Sequence, residues 1–195
     1  MLMYELLKSR DFRIWLAIMG SATLIIGASY AMVQQSTRLA ANDLPLSTAQ
    51  LVKKQLEGGA NPSDVVPTQT VNLRDDSGVF IIVADSSRHV LAGSAALDGQ
   101  TPLPPKGTFD YTAKHGLDSF TWQPTSKVRL ATQVVNYGQS PNTGFVITGQ
   151  SLAPAEDRVD VYTELAVAAW LAILAWTYLT LLMPESTFAR KKTKK

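Results

Sequence analysis

The sequence predicts an α+β protein: two transmembrane helices, with a domain of about five antiparallel strands and a helix on one face of the sheet between them. Three observations carry this. Residues 14–33 and 165–183 hold no Asp, Glu, Lys or Arg. The intervening residues change to short alternating or apolar runs separated by Gly, Pro, Asn and Asp, the pattern of strands and turns. Finally, the positive charge gathers outside the two uncharged runs.

The first run is 20 residues long and the second 19. At ~1.5 Å per residue each matches the roughly 30 Å hydrocarbon core of a bilayer. Lys8, Arg10 and Arg13 precede the first run, and Arg190, Lys191, Lys192, Lys194 and Lys195 follow the second. Between the runs, residues 34–160 carry 10 basic and 12 acidic side chains, a formal charge of −2. That asymmetry predicts residues 1–13 and 184–195 in the cytoplasm, a multi-pass protein of the cell membrane and an extracytoplasmic domain over 34–160. Trp15, Tyr30 and Tyr162 sit where interfacial aromatics are expected. The basic start and Ser29-Tyr30-Ala31 also suit a cleaved export signal, although 20 uncharged residues exceed its usual ~7–15. The five cations of the tail suit an anionic inner leaflet or simply fix topology. Gly27 with Ala31, and Ala168 with Ala172, are small residues four apart and predict close helix packing, within one chain or between two.

Within the domain, residues 34–41 are expected to continue the first helix until Pro45 breaks it. Ser47 then reads as an N-cap, with Gln50 at capping-box spacing. Leu46, Ala49, Leu51, Val52 and Leu56 form an apolar stripe, and Gly58-Gly59 ends the helix. Asn61-Pro62-Ser63 is not a glycosylation acceptor because of its proline. Strands are predicted at 79–84 and 89–92 as a hairpin, then at 119–123, 128–137 and 144–149 as a meander. Residues 93–109 are expected to be an irregular crossover, and 153–164 a helix entering the second span.

The chain has no cysteine, which excludes disulfides, thiolate metal sites and a cysteine nucleophile. Its 46% hydrophobic content excludes wholesale disorder. His89 and His115 are isolated, no G-x-S-x-G or phosphate loop occurs, and Asp75-Asp76 reads as a solvated turn. No enzyme activity, cofactor, metal or nucleic-acid partner is therefore expected.

The hairpin I-I-V-A-D-S-S-R-H-V-L-A, with Asp85 in its turn and Ala92-Gly93-Ser94 after it, lies between two membrane helices and a three-strand return. Over residues 35–164 this resembles the extracytoplasmic PAS-like domains, the single-Cache or PDC-type sensors of bacterial histidine kinases and chemoreceptors. The resemblance implies a ligand cleft framed by neighbouring strands, with Trp122, Arg129, Thr132 and Tyr137 as candidates for a small carboxylate or aromatic ligand. The chain departs from that family in having no cytoplasmic output domain after the second run. The expected function is therefore extracytoplasmic sensing or ligand binding that acts through a membrane partner or a second copy. The alternative is a structural or accessory subunit of a larger membrane complex.

Overall fold

The computed structural model describes residues 10–138 and 143–182, with side chains to 180. Its elements are α1 (Arg10–Glu57), α2 (Pro62–Val65), β1 (Val71–Asn72), β2 (Phe80–Asp85), β3 (Val90–Gly93), β4 (Ala95–Ala96), α3 (Lys106–His115), β5 (Leu117–Thr125), β6 (Val128–Tyr137), β7 (Gly144–Ser151) and α4 (Ala153–Leu182). Two helices, α1 and α4, are long and apolar enough to cross a membrane. The chain divides into a helical unit, Met1–Gln34 with Val159–Lys195, and an α+β unit, Gln35–Arg158.

In the α+β unit five strands form one antiparallel sheet in the order β3-β2-β7-β6-β5, and β1 pairs with β4 in a separate parallel pair. The β2–β3 hairpin turns at Asp85, whose carboxylate accepts the His89 amide at 2.8 Å, while Arg88 takes the left-handed conformation at φ 68. The three central strands are buried on both faces, which explains their nearly continuous apolar runs. On one face Phe80, Ile82, Leu130, Val134 and Ile147 meet Phe109 of α3. On the other, Ile81, Val83, Val135 and Val146 meet Ala49 and Val52 of α1.

Pro45 does not break α1, which runs through it for 48 residues, so Ser47 is an interior residue donating to the Leu44 carbonyl rather than an N-cap. The sheet supplies what proline removes. A residue 45 amide would normally donate to the Ala41 carbonyl; instead Gln150 Nε2 donates to that oxygen at 2.9 Å. Thr148 Oγ1 donates to the Pro45 carbonyl at 2.7 Å, and Gln133 Nε2 to Asn42 Oδ1 at 3.1 Å and Ser119 Oγ at 2.8 Å. The register sets Gln133 opposite Thr148 and Ala131 opposite Gln150, so these groups form one polar strip beneath residues 41–45.

A double-mutant cycle tests this compensation. Gln150→Leu strands the Ala41 carbonyl and is expected to cost about 1–3 kcal/mol. In a Pro45→Ala background the restored amide serves that carbonyl, and the cost is expected to fall by about 1 kcal/mol. Equal costs in both backgrounds, measured by denaturant unfolding of the full chain in detergent, would contradict the compensation.

The crossover is not wholly irregular. Residues 106–115 form α3, helped by burial of Phe109 and Thr112 and by the Lys106–Asp110 ion pair at 2.5 Å. Gly116 ends α3 at φ 85, a left-handed C-cap. Strand β5 continues past Pro124 to Thr125, because β5 is an edge strand with a register shift after Trp122.

In the helical unit the helices pair through aromatic and hydroxyl side chains. Trp15 Nε1 donates to Thr177 Oγ1 at 3.2 Å, Trp170 Nε1 to Thr23 Oγ1 at 2.9 Å, and Thr163 Oγ1 to Tyr30 Oη at 3.3 Å. On α1, Trp15, Met19, Thr23 and Tyr30 are spaced four, four and seven apart, which keeps them on one helix face. The predicted small-residue contact within the chain is not formed. Gly27, Ala31, Ala168 and Ala172 are exposed, and a Cβ added to Gly27 meets nothing within 4 Å. Beside Gly27 a cleft of about 380 Å³, lined also by Tyr30, Thr163, Ala166 and Trp170, opens between the helices, and the indole and hydroxyl hydrogen bonds join them instead.

Candidate functional site

A cleft of about 470 Å³ opens in the α+β unit. Helix α1 contributes Ser36, Thr37, Ala40 and Ala41, whose spacing puts them on one face. The end of β7 brings Gln150 and Ser151, the first turns of α4 bring Pro154, Ala155 and Arg158, and the loop before β2 brings Ser77. The polar strip under Pro45 ends here, since Gln150 both spans to Ala41 and lines the cleft.

The charges around it are unequal. Glu156 lies in the first turn of α4 but is ion-paired with Arg129 of β6. The Leu152 amide donates to the Arg129 carbonyl at 2.9 Å, tying the same two elements together. Arg158 has no carboxylate partner among the described residues, and the lining includes no acid. The helix start itself offers little, because the Ala153 amide bonds Ser151 Oγ and the Ala155 and Glu156 amides bond the Leu152 carbonyl. The donors that remain are the Arg158 guanidinium and the hydroxyls of Thr37, Ser77 and Ser151, a set suited to an anion.

Comparison with protein-family models, with curated proteins and with solved structures finds no match to this chain. The site therefore rests on its own geometry.

That geometry does not bring the four predicted ligand residues together. Trp122 is 6% exposed within the core on the α3 face. Thr132 is fully buried on β6, on the same face as Leu130 and Val134, and its hydroxyl has no partner among the described residues. Arg129 is exposed on β6 and turned to Glu156. Tyr137 packs against the other cluster, with Val135 and Val83. Arg129 and Tyr137 share a strand but sit eight residues apart, about 26 Å at ~3.3 Å per residue. Strand alternation separates Trp122 and Thr132 from Arg129 and Tyr137. Burial, and after it the charge of Asp85, holds the Tyr137 hydroxyl above its ordinary pKa. Asp85 itself is held below the usual carboxylate range, chiefly by the His89 amide.

His89 lies 3.2 Å from Asp85, and His115 stacks on Tyr111 at 4.0 Å. Asp75 and Asp76 accept from Asn72, at 2.6 and 2.8 Å. Among the described residues no three His, Asp or Glu side chains gather as a metal set. Lys8 and the tail cations Arg190, Lys191, Lys192, Lys194 and Lys195 lie outside the described residues.

Sequence reasoning missed the cleft because its lining comes from three segments far apart in the chain, 36–41, Ser77 and 150–158. One signal was present: Gln133 and Thr148 are polar residues inside predicted strands, and the structure buries both.

Proposed function

We propose that this chain is a membrane-anchored binding protein, with both termini cytoplasmic and a PAS-like extracytoplasmic domain that acts through a membrane partner or a second copy. The observation that carries it is the make-up of the cleft. Its walls come from residues 36–41 of α1 and 154–158 of α4, the two helices that carry the apolar runs. An occupant would therefore touch both helices, and α1 is keyed to the sheet by Gln133, Thr148 and Gln150. The hairpin, crossover and meander support the PAS-like assignment.

The test is ligand-dependent stabilisation of the full chain in detergent. A cleft ligand at ~100 times Kd is expected to add about 2.7 kcal/mol. Ala155→Trp, which fills the cleft from the first turn of α4, is expected to remove that gain. Retention of the full gain in Ala155→Trp contradicts a ligand site here.

The accessory-subunit reading has its own support. The sheet face that carries Trp122 and Thr132, two of the four candidates named by resemblance, is filled by Phe80, Phe109, Phe145 and Trp122. The outer side of α1 meanwhile exposes Leu44 and Leu51, seven apart and 55% and 58% accessible. Photo-cross-linking from Leu51 to another membrane protein, with no ligand effect at the cleft, would favour that reading.

A further inference from the structure

We infer that the cleft formed by α1, β7 and α4 binds the phosphate of an anionic phospholipid headgroup. The inference rests on the binding function proposed above and names the ligand class of the same site.

Its first support is chemical. The lining holds one cation, Arg158, and no carboxylate, and the nearest acid in the first turn of α4, Glu156, is already paired with Arg129. Arg158, Thr37, Ser77 and Ser151 all line one space and bring to it a guanidinium and three hydroxyls, the donor types that suit a phosphate's several acceptor oxygens. Asp157 and Asp160 are exposed on α4 but do not line the cleft. Helix-start amides are not needed, being bonded already to Ser151 and Leu152.

The second support is depth along each helix. Ser36 follows Val33, the end of the first uncharged run, by three residues, which is about 5 Å of helix. Arg158 precedes Leu165, the start of the second run, by seven residues, about 10 Å. The polar layer of a bilayer is roughly 5–8 Å thick beyond each side of the hydrocarbon. Along α1 and α4, Ser36 and Arg158 therefore mark the end of the lining nearest the uncharged runs, at or just beyond headgroup distance and within reach of the Arg158 side chain, while Ala41 and Pro154 lie about 12 and 16 Å along their helices. A volume of about 470 Å³ exceeds what a bare phosphate fills and suits a phosphate with its glycerol.

The experiment uses the purified full chain in a neutral detergent. Its probes are dioctanoyl phosphatidylglycerol, dioctanoylglycerol and inorganic phosphate, read by thermal shift and by native mass spectrometry. Phosphatidylglycerol is expected to bind and raise the melting temperature, and dioctanoylglycerol to do neither. Arg158→Gln is expected to weaken the lipid at least tenfold and Thr37→Val about threefold, whereas Arg38→Gln, one residue outside the lining, stays within twofold. If Arg158→Gln does not fold, Thr37→Val and Ser77→Ala carry the test. Equal stabilisation by inorganic phosphate would overturn the lipid source in favour of a free anion. Equal binding of dioctanoylglycerol would overturn the phosphate. Equal losses in Arg158→Gln and Arg38→Gln, or none in either, would overturn the site. Failure of phosphatidylglycerol while another ligand is still displaced by Ala155→Trp overturns this ligand class and leaves the binding function standing.

Discussion

Phe80→Ala is expected to destabilise the α+β unit by about 3–5 kcal/mol, the usual cost of deleting a buried phenylalanine ring. Phe80 is fully buried at the start of β2, in the cluster that holds the edge-to-face pair Phe109–Phe145 at 5.1 Å. Its ring covers Gly149 on the neighbouring strand, so removal leaves a cavity that backbone pairing prevents from closing. Against a typical total of about 5–15 kcal/mol, that loss is a large share of stability. Denaturant unfolding of the full chain in detergent checks it, together with protease sensitivity in membranes. A loss under about 1 kcal/mol, no more than a surface substitution costs, would contradict the packing described.

Gly149→Ala is expected to cost about 1–3 kcal/mol from the opposite fault, overpacking. A Cβ there would lie 2.7 Å from the Ala131 carbonyl oxygen and 2.7 Å from the Phe80 ring. The first contact is with backbone of β6, held by eight register pairs to β7, and has little freedom to move. The second is with a side chain that Phe80→Ala deletes. The double variant should therefore cost less than the sum of the two single ones, with the Ala131 clash remaining. Strict additivity would mean that the two positions do not share space.

Strands were the legible part of this sequence. Strand β6 has the boundaries its pattern predicts, Val128–Tyr137, because a partly alternating run of ten residues between turn residues fits a strand. Strands β2, β3 and β7 agree with expectation to within one or two residues, the ordinary uncertainty of element ends. Local rules failed where a distant side chain altered the balance. Pro45 is a sound helix-breaking signal, and it was overridden by Gln150, more than a hundred residues away. Helix α3 was hidden by Gly107 and Thr108, poor helix formers made acceptable by burial of Phe109. The ligand candidates failed for another reason. Trp122 and Arg129 are close in sequence across a turn, but alternation sends their side chains to different faces. The cleft needed three distant segments brought together, which no spacing along the chain reveals.

The proposed topology puts the Gln35–Arg158 unit outside the cytoplasm, between two membrane spans. Charge asymmetry carries that claim: eight Lys and Arg flank the uncharged runs, against a formal charge of −2 between them. The chain has no native cysteine, so single introduced thiols report cleanly. Ser87 is exposed in the β2–β3 turn and suits the external probe, while Thr193 lies in the basic tail. With an impermeant maleimide on intact cells, Ser87→Cys is expected to label and Thr193→Cys to label only after lysis. Labelling of Thr193→Cys alone would invert the orientation, and labelling of both in intact cells would contradict a two-span hairpin.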